Sequence, residues 1–460
     1  MGTCHSSQPA AAPQKPEAVA TATLLQDGGR TSQPAGKATT EENHQDRGEG
    51  GEMDAIDDEA RHAFYVEESC AFAKSLLADV AKDPHAAKWE SLSKSPVQLS
   101  KFNASDERPP YVPSPYSIIA LNPTPATAGF QRCNWKEQYS GRGKVLILAT
   151  SAYELRMQNG KGLFTGHHTT ELFVPMIHLH DAGFEFVIAT MDGKPVRLDE
   201  WTFLVAAGYE DDLRGMAAAV EGQLKNPRKT SEVDIVQDNI IAVFLPGGPR
   251  AMTPQMGNDP AVGKLLHAAH DRQVLTAAIC HGVHPLVAAR LGDGGEFPYK
   301  GYEAVCFPDY LDEPVLPESG YLPGKMVTLP QADLRANGVD VKNTESANMP
   351  MDQIWLDRGL LTGLSFAAAQ KFGEKFVELL MQKHMPGMTS NEVFKQALPT
   401  LPEDTTPEET IAPVDKRGGD GTAASSEASP QRQPSGTTKL VPEIAVSGAV
   451  DPPRYCKLFC

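Results

Sequence analysis

The sequence is poor in the features that mark secreted proteins, membrane proteins and zinc-cage proteins. It has seven cysteines in 460 residues and no C-x-x-C pair or regular cysteine spacing, so neither a disulfide framework nor a zinc cage is predicted. No segment approaches the roughly 20 consecutive apolar residues of a transmembrane helix. The amino-terminal region also lacks the apolar core of a secretory signal. We therefore expect a cytoplasmic protein in a reducing compartment.

Basic residues are also scarce. The chain carries 42 lysines and arginines against 59 aspartates and glutamates, which gives a formal net charge of −17. Proteins bind nucleic-acid phosphates through clustered lysine and arginine side chains. This charge balance therefore predicts that nucleic acid is not a partner.

The two ends of the chain differ in composition from its centre. Residues 1–60 and 391–460 are rich in small, polar and acidic residues and contain few large apolar side chains, so we expect both tails to be disordered. The first residues, MGTCHS, match the myristoylation pattern at Gly2, and the adjacent Cys4 could take palmitate. Two acyl chains would tether the protein stably to a membrane, whereas an unmodified amino terminus would not.

Residues 61–140 are predicted to form an accessory helix followed by an extended arm. Apolar residues recur at three- and four-residue intervals from Val66 to Val80, which is typical of an amphipathic helix, and Pro84 ends it. The residues from 93 onward contain many prolines, tyrosines and serines and few periodic runs. We expect this arm to wrap around the domain that follows.

Residues 141–390 are predicted to form the globular body of the protein, because short apolar runs alternate there with helical patterns. The predicted strands are KVLILAT (144–150), FEFVIAT (184–190), IIAVFLP (240–246), VLTAAIC (274–280) and AVCF (304–307). The predicted helices are 169–182, 212–224, 260–271, 283–291 and 366–384. Continuous apolar runs indicate strands buried on both faces, so the sequence predicts an α/β fold with a mainly parallel sheet covered by helices.

The strongest candidate for chemistry follows one of these strands. The run VLTAAIC leads directly into His281 and Gly282, and a helical pattern begins at once, so a sharp turn must join strand and helix. This turn resembles a nucleophile elbow, in which the amino terminus of the next helix should lower the pKa of the Cys280 thiol. We predict Cys280 as a nucleophile, and a buried structural cysteine is the alternative.

Three other segments supply candidate partners. Gly247 and Gly248 follow a predicted strand, and their backbone amides could stabilise an oxyanion. Glu171 lies in the first turn of a predicted helix and could move protons. Asp309 follows the AVCF run and could orient the imidazole of His281, as the third member of a triad does. The structural alternatives are a Gly-Gly turn, a helix-terminal acid and a turn aspartate.

In order and spacing, these segments resemble the ThiJ/PfpI superfamily and above all its HchA-type branch, which has a class I glutamine amidotransferase-like fold. The similarity runs from Pro113 to Gln382 and includes GKVLILAT, TGHHTTEL, HLHDAGFEFVIAT, KNPRK, FLPGG, CHG, GYEAVCFPD and DRGLLTG. It implies a flavodoxin-like three-layer sandwich with a small extra lobe. It also suggests a homodimer as the assembly to test.

The resemblance assigns roles to the candidates already named. Cys280 corresponds to the nucleophile, His281 to its adjacent histidine, Glu171 to the acid that hydrogen-bonds the thiol, and Asp309 to the triad aspartate. The oxyanion and substrate side corresponds to Gly247, Gly248 and Gly282.

Some HchA-type members also bind zinc through two histidines and a glutamate. Two of these ligands have counterparts here, His180 and Glu185, but Val220 stands where the third is expected, with Glu221 beside it. We therefore predict no metal. Bacterial members usually have small residues after CHG, where this sequence has Val283 and His284, so His284 could crowd or polarise the pocket.

The implied activity is that of a glutathione-independent glyoxalase, a lyase that converts the 2-oxoaldehyde methylglyoxal to lactate. No cofactor is expected, because the reaction is an internal oxidation–reduction. Two alternatives stay open on the same residues. One is a stress-responsive chaperone for unfolded protein clients with Cys280 as a redox sensor. The other is a deglycase that removes early methylglyoxal adducts from proteins.

Overall fold

A computed structural model describes residues 49–82, 91–121, 130–206, 208–252, 254–292, 296–343, 350–385 and 396–397. The chain divides into two units, Met1–Asp54 and Ala55–Cys460. Of the first unit, only residues 49–54 are described, and they are helical. The acylation candidates Gly2 and Cys4 and most of both predicted tails lie outside the described residues. Residues 49–60 of the predicted amino-terminal tail belong to the helix Glu49–Lys82, so the prediction of disorder is wrong for them. All other described residues belong to the second unit.

The helices and strands within the described residues have the following bounds. The helices are α1 Glu49–Lys82, α2 Pro115–Ala120, α3 Thr169–Asp181, α4 Glu210–Ala219, α5 Glu221–Lys225, α6 Pro254–Asn258, α7 Pro260–Asp271, α8 Leu316–Ser319, α9 Pro330–Ala336 and α10 Ala369–His384. The strands are β1 Val97–Gln98, β2 Tyr111–Val112, β3 Cys133–Asn134, β4 Lys144–Leu148, β5 Glu154–Arg156, β6 Gly162–Phe164, β7 Glu185–Thr190, β8 Arg228–Lys229, β9 Ile240–Leu245, β10 Leu275–Ile279, β11 Glu303–Ala304, β12 Asp340–Val341, β13 Ile354–Asp357, β14 Leu360–Gly363 and β15 Gln396–Ala397. Single-turn and 3₁₀ segments are Glu200–Phe203, Thr230–Glu232, Pro249–Met252, Cys280–Leu291 and Phe366–Ala368, and Leu311–Val315 forms a π-helical turn.

The central sheet has seven strands in the order β13-β14-β10-β9-β4-β7-β8. Neighbouring strands run parallel except for the edge strand β13, which is antiparallel to β14. The prediction of a mainly parallel sheet is confirmed. After the central strand β4, the chain adds β7 on one side of β4 and later adds β9 on the other side, so the direction of strand addition reverses at β4. Ligands of open α/β sheets bind at the carboxyl ends of the strands near such a reversal.

Alternating residues of the central strands serve two separate apolar layers. In β4, Val145 and Ile147 join the layer that contains residues of α3, α4 and α10. Leu146 and Leu148 face the opposite layer, which contains residues of α7, α9 and the Cys280–Leu291 segment. Because both faces are covered, the strands have continuous apolar sequences, and the domain is the three-layer sandwich that the sequence predicts.

The AVCF run departs from its prediction. Only Glu303–Ala304 is extended, and it pairs with β12 in a separate two-stranded sheet. The next two amides then donate to side chains, Val305 N to Thr362 Oγ1 at 3.0 Å and Cys306 N to Asn343 Oδ1 at 3.1 Å. Since side-chain acceptors replace a partner strand, this run does not become a strand of the central sheet.

A small lobe stands beside the sandwich, as predicted. Strands β1, β2, β6 and β5 form its sheet, and Tyr65 of α1 packs against Leu99, Val112 and Phe164. The buried Arg197 ties α1 to the domain, because it donates to Glu59 at 2.9 Å. Within the described part of the chain, none of the helices combines the length and apolarity needed to cross a lipid bilayer.

Candidate active site

Cys280 occupies a strained turn directly after the central strand β10. Its φ is +58°, in the left-handed region, and the 3₁₀ segment Cys280–Leu291 begins at this residue. A Cβ on Gly282 would lie 2.4 Å from the carbonyl oxygen of Leu245 and 2.5 Å from that of Pro246. Only glycine fits there, so the sharp turn inferred from CHG is present and depends on Gly282. Those two contacts give Gly282 a packing role beneath the turn.

The environment of the thiol differs from the one expected. Cys280 is 4% exposed, and burial together with the nearby charge of Glu171 raises the pKa of its thiol well above the ordinary value. The prediction that the pKa falls is therefore wrong. A helix amino terminus favours a thiolate, but here desolvation and a carboxylate outweigh it. A thiol in this environment needs a base to remove its proton.

Glu171 supplies a suitable base in the first turn of α3. It is completely buried, and burial raises the pKa of its carboxyl to about 7. Hydrogen bonds from the Cys280 side chain and from the backbone of Gly248 and Phe366 favour the ionised form and limit this rise. A carboxyl group that titrates near neutral pH can both accept and return a proton. The backbone of residue 247 comes so close to the Glu171 carboxyl that only glycine fits there, since a Cβ on Gly247 would lie 2.2 Å from Glu171 Oε2.

His281 links the thiol to a second carboxylate, that of Asp312. Its Nδ1 is 3.4 Å from Cys280 Sγ, and its Nε2 is 3.1 and 3.0 Å from Asp312 Oδ1 and Oδ2. Burial alone would lower the pKa of His281, but the charge and hydrogen bonds of Asp312 reverse this effect and raise it. The ring also stacks on Phe307 at a centroid distance of 4.4 Å. The imidazole is therefore fixed in orientation and can hold a proton next to the sulfur.

Asp309 does not contact His281, so the prediction that it orients this ring is wrong. Its Oδ1 accepts a hydrogen bond from Gln331 N at 2.8 Å, and its Oδ2 accepts one from Ala332 N at 2.9 Å. It thus binds backbone amides in the first turn of α9, whereas the π-helical turn Leu311–Val315 brings Asp312 to the ring. The signal for Asp312 was the second aspartate of FPDYLD, about one helical turn after Pro308.

The two glycines after β9 lie beside Cys280, as predicted. Gly248 has φ +99°, and its backbone donates to Glu171. The carbonyl oxygen of Gly247 accepts a 2.8 Å hydrogen bond from His167 Nδ1, while Thr150 N donates to His167 Nε2 at 2.9 Å. His167 therefore joins the ends of β4 and β9 and holds the glycine loop in place. The oxyanion role of Gly247 and Gly248 stays a prediction.

A small cavity of about 40 Å³ lies above Cys280. Its walls are formed by Leu121, His168, Glu171, Gly248, Pro249, Cys280, His281, Phe307, Leu316, Tyr321 and Phe366. This volume holds roughly three water molecules. The wall residues Leu121, Tyr321 and Phe366 were not predicted from the sequence, because they come from segments far apart in the chain.

The positions that suggested a metal do not form a site. Val220 is buried in the apolar core, and Glu221 forms an ion pair with Lys225 at 2.6 Å. Glu185 is mostly exposed and lies 3.7 Å from Lys144, and His180 is also exposed. Among the residues that the structure describes, no three His, Cys, Asp or Glu side chains cluster as metal ligands. These residues do not fit a zinc site, and no step of the chemistry below passes through a metal.

His284 does not crowd the pocket, so that expectation is wrong. Its side chain is not among those that line the cavity, and its Nε2 lies 2.8 Å from Asp333 Oδ2 in α9. It belongs to the packing between the Cys280–Leu291 segment and the helix beside it.

A cysteine at a left-handed turn after a central parallel strand, with a buried glutamate and a His–Asp pair, defines a class of α/β proteins with a candidate cysteine nucleophile. The model of the DJ-1/PfpI family matches residues 163–298. The curated protein/nucleic acid deglycase HchA of Pseudomonas aeruginosa (strain UCBPP-PA14) is 35% identical over 279 residues, which cover 59% of this chain and 92% of that protein. The chain belongs to the DJ-1/PfpI family.

Two further relatives extend the comparison. The protein/nucleic acid deglycase HchA of Staphylococcus aureus (strain JH9) is 31% identical over 300 residues, covering 63% of this chain and 98% of that protein. The crystal structure of glyoxalase III from Candida albicans is 20% identical, covers 51% of this chain and 96% of its own, and superimposes with a TM-score of 0.42.

Proposed function

We propose that the protein converts methylglyoxal and water to lactate without glutathione, through a covalent adduct on Cys280. The observation that carries this proposal is the shared cavity. The Cys280 thiol, the imidazole of His281 and the carboxyl of Glu171, whose pKa is about 7, line one small cavity, which favours a small substrate over a large one.

In the first step, the ionised Glu171 removes the thiol proton as Cys280 Sγ attacks the aldehyde carbon. A sulfur–carbon bond forms, and the carbonyl π bond moves its electron pair to oxygen. The proton on Glu171 then passes to this oxygen, which gives a neutral hemithioacetal and an ionised Glu171 again. The high pKa of the thiol makes this internal proton acceptor necessary.

In the second step, hydrogen moves between the two carbons of the substrate. Glu171 removes the proton from the former aldehyde carbon to form an enediol and returns a proton to the neighbouring carbon. His281, held by Asp312, relays the proton from the first oxygen to the second. The aldehyde carbon is oxidised to a thioester and the ketone carbon is reduced to an alcohol, so no external oxidant or reductant takes part.

In the third step, water hydrolyses the thioester. Its oxygen bonds to the acyl carbon while Glu171 takes one of its protons. The carbon–sulfur bond breaks, and Cys280 recovers a proton from His281 as lactate leaves. The proton on Glu171 then restores the one that His281 gave up. The proton on His281 is available for the departing sulfur, because the charge of Asp312 stabilises the imidazolium form.

The test is lactate formation from methylglyoxal in the absence of glutathione. We expect Cys280→Ala and Glu171→Gln each to lose at least about 100-fold in turnover. Cys306→Ala is the matched control, because Cys306 is equally buried but does not line the cavity. Full activity in either of the first two variants overturns the mechanism.

Removal of methylglyoxal adducts from proteins is a second candidate, because the relatives from Pseudomonas aeruginosa and Staphylococcus aureus are named deglycases. The same thiol could attack the carbon of a hemithioacetal or aminocarbinol adduct, with the amino acid side chain leaving as thiol or amine. Incubation with a methylglyoxal-modified peptide separates the two reactions, provided that free methylglyoxal is removed by a scavenger. Release of unmodified peptide faster than spontaneous reversal favours the deglycase, and lactate from free methylglyoxal alone favours the glyoxalase.

A further inference from the structure

The side chain of His168, in the cavity wall, has a buried nitrogen without a hydrogen-bond partner in the part of the chain that the structure describes. Nε2 of His168 is buried and makes no hydrogen bond to the described residues, although the side chain lines the cavity with Cys280 and Glu171. The residue is only 6% exposed. By contrast, the backbone of Gly248 already donates to Glu171, and that of His281 to Cys280. A buried polar group without a partner costs free energy unless a ligand satisfies it.

The protonation state of this ring follows from its place at the start of α3. His168 is the N-cap residue, and its Nδ1 accepts a 3.3 Å hydrogen bond from Thr170 N. A nitrogen that accepts a hydrogen bond carries no proton, so the neutral ring has its proton on Nε2. Burial lowers the pKa of His168 to about 4, which keeps the ring neutral at physiological pH. The unpartnered Nε2 of this cavity-lining ring is therefore an N–H donor.

The position of the ring is fixed as well as its tautomer. His168 stacks on Phe366 with a centroid distance of 5.6 Å and an interplanar angle of 12°. It precedes Glu171 by three residues, and residues three apart are neighbours on a helix surface. The donor therefore lies on the same side of the cavity as Glu171. Glu171 must deliver a proton to the substrate carbon next to the adduct, so this carbon must lie on that side as well.

We propose that His168 is a substrate-binding residue whose Nε2–H donates to the second carbonyl oxygen of a 2-oxoaldehyde, so that the site selects dicarbonyls over simple aldehydes. This inference rests on the proposed function and deepens it. A neutral imidazole at a helix amino terminus can polarise a carbonyl group without adding a charge. Polarising the ketone makes the neighbouring C–H bond more acidic, and an uncharged donor leaves Glu171 free to act as the base. A simple aldehyde has no second oxygen to satisfy this donor.

Two variants separate the donor from the structural roles of the ring. His168→Asn keeps a good N-cap acceptor for Thr170 N but is too short to replace the cavity donor. His168→Phe keeps an aromatic ring against Phe366 but has neither nitrogen. His270→Asn is the control. His270 lies near the amino end of β10, whereas Cys280 follows the carboxyl end of this strand.

The primary measurement is protection of Cys280 from iodoacetamide by methylglyoxal and by propanal, quantified by mass spectrometry of the Cys280 peptide. Each protection constant is divided by the aldehyde's equilibrium constant for hemithioacetal formation with N-acetylcysteine, whose blocked amine prevents ring closure, and this removes the difference in intrinsic reactivity. We expect wild type and His270→Asn to prefer methylglyoxal. In both His168 variants the preference for methylglyoxal should fall about tenfold, which corresponds to the net free energy of one buried hydrogen bond. An unchanged preference in His168→Asn, or no preference in wild type, overturns the inference.

This measurement is separate from the failure of the proposed function. Protection needs only the reversible adduct, so a wild-type protein that makes no lactate still reports on His168. A second readout is the ¹⁵N spectrum of the histidine rings. His168 should keep its Nε2–H tautomer between pH 8 and pH 5, and titration of this ring above pH 6 contradicts the proposal.

Discussion

The imidazole of His281 and the carboxylate of Asp312 form a buried pair, with Nε2 3.0 and 3.1 Å from the two carboxylate oxygens. The pair lies next to the sulfur, because the other ring nitrogen, Nδ1, is 3.4 Å from Cys280 Sγ. A carboxylate in this position fixes the ring and stabilises its protonated form. Removing its charge should therefore affect the chemistry more than removing the charge of Asp309, its neighbour in sequence.

We predict that Asp312→Asn lowers kcat/KM by roughly 100-fold or more. Asp309→Asn should cost about threefold or less, because asparagine also caps a helix amino terminus well. Lactate assays on both purified variants, with circular dichroism to check folding, measure the difference. A larger loss in Asp309→Asn would mean that the interaction between His281 and Asp312 is not the functional one.

Glu171 should make stability depend on pH. Burial raises the pKa of this carboxyl from 4.5 to about 7, so the folded state holds the proton more tightly than the unfolded state. Stability from this group is present below about pH 4.5 and is lost as the pH rises through 7. Glu171→Gln should thus raise the free energy of unfolding at pH 8 by on the order of 3 kcal/mol more than at pH 5. Urea titrations at both pH values test this, and equal changes would contradict it.

The glycine beneath the nucleophile should tolerate no side chain. Gly282→Ala is expected to cost about 1–3 kcal/mol or more and to abolish turnover, because its Cβ would meet two backbone oxygens. Gly215→Ala is the matched control. Gly215 lies inside α4 and has open space where the methyl group of alanine would stand, so alanine should stabilise the helix by about 0.5–1 kcal/mol. Thermal melts give both values, and a neutral Gly282→Ala would contradict the close approach.

The contact between α1 and the domain should depend on one charge. Glu59→Gln leaves the buried guanidinium of Arg197 without its carboxylate. Because Glu59 is about half exposed, we expect a loss of about 1–2 kcal/mol in unfolding free energy rather than the larger cost of a fully buried pair. Glu67→Gln, an exposed position on the same helix, should change stability by less than about 0.5 kcal/mol. Similar values for the two variants would show that the ion pair is not stabilising.

Local sequence patterns predicted the sheet and the turn at Cys280, because both features depend on residues that are neighbours in the sequence. The continuous apolar runs of β4, β7, β9 and β10 follow from burial on two faces, and the turn follows from the contact at Gly282. Strand β14, LLTG, was missed because it is short and ends in polar and small residues. It is a strand because β10 and β13 flank it.

The errors at the site have a common physical origin. Asp309 and Asp312 are both plausible partners of His281 in sequence, and the choice depends on how the chain turns after Pro308. The direction of the shift in the thiol pKa depends first on the burial of Cys280 and then on its distance to Glu171, which lies more than one hundred positions earlier in the chain. The donor of His168 is visible only when the hydrogen bond to Thr170 and the cavity are known together. Such relationships are set by tertiary packing and leave no local pattern.

The cavity above Cys280 has a consequence for the order of events in solution. A space of about 40 Å³, with Leu121, Leu316 and Tyr321 among its wall residues, admits a three-carbon aldehyde only if side chains of the wall move apart as it enters. Entry rather than bond making would then control the rate for bulky molecules. Association rates measured for a series of glyoxals with increasingly large substituents would therefore report the size of the opening. The substituent size at which the rate falls sharply shows how wide the wall opens and whether an adduct on a peptide can reach the sulfur.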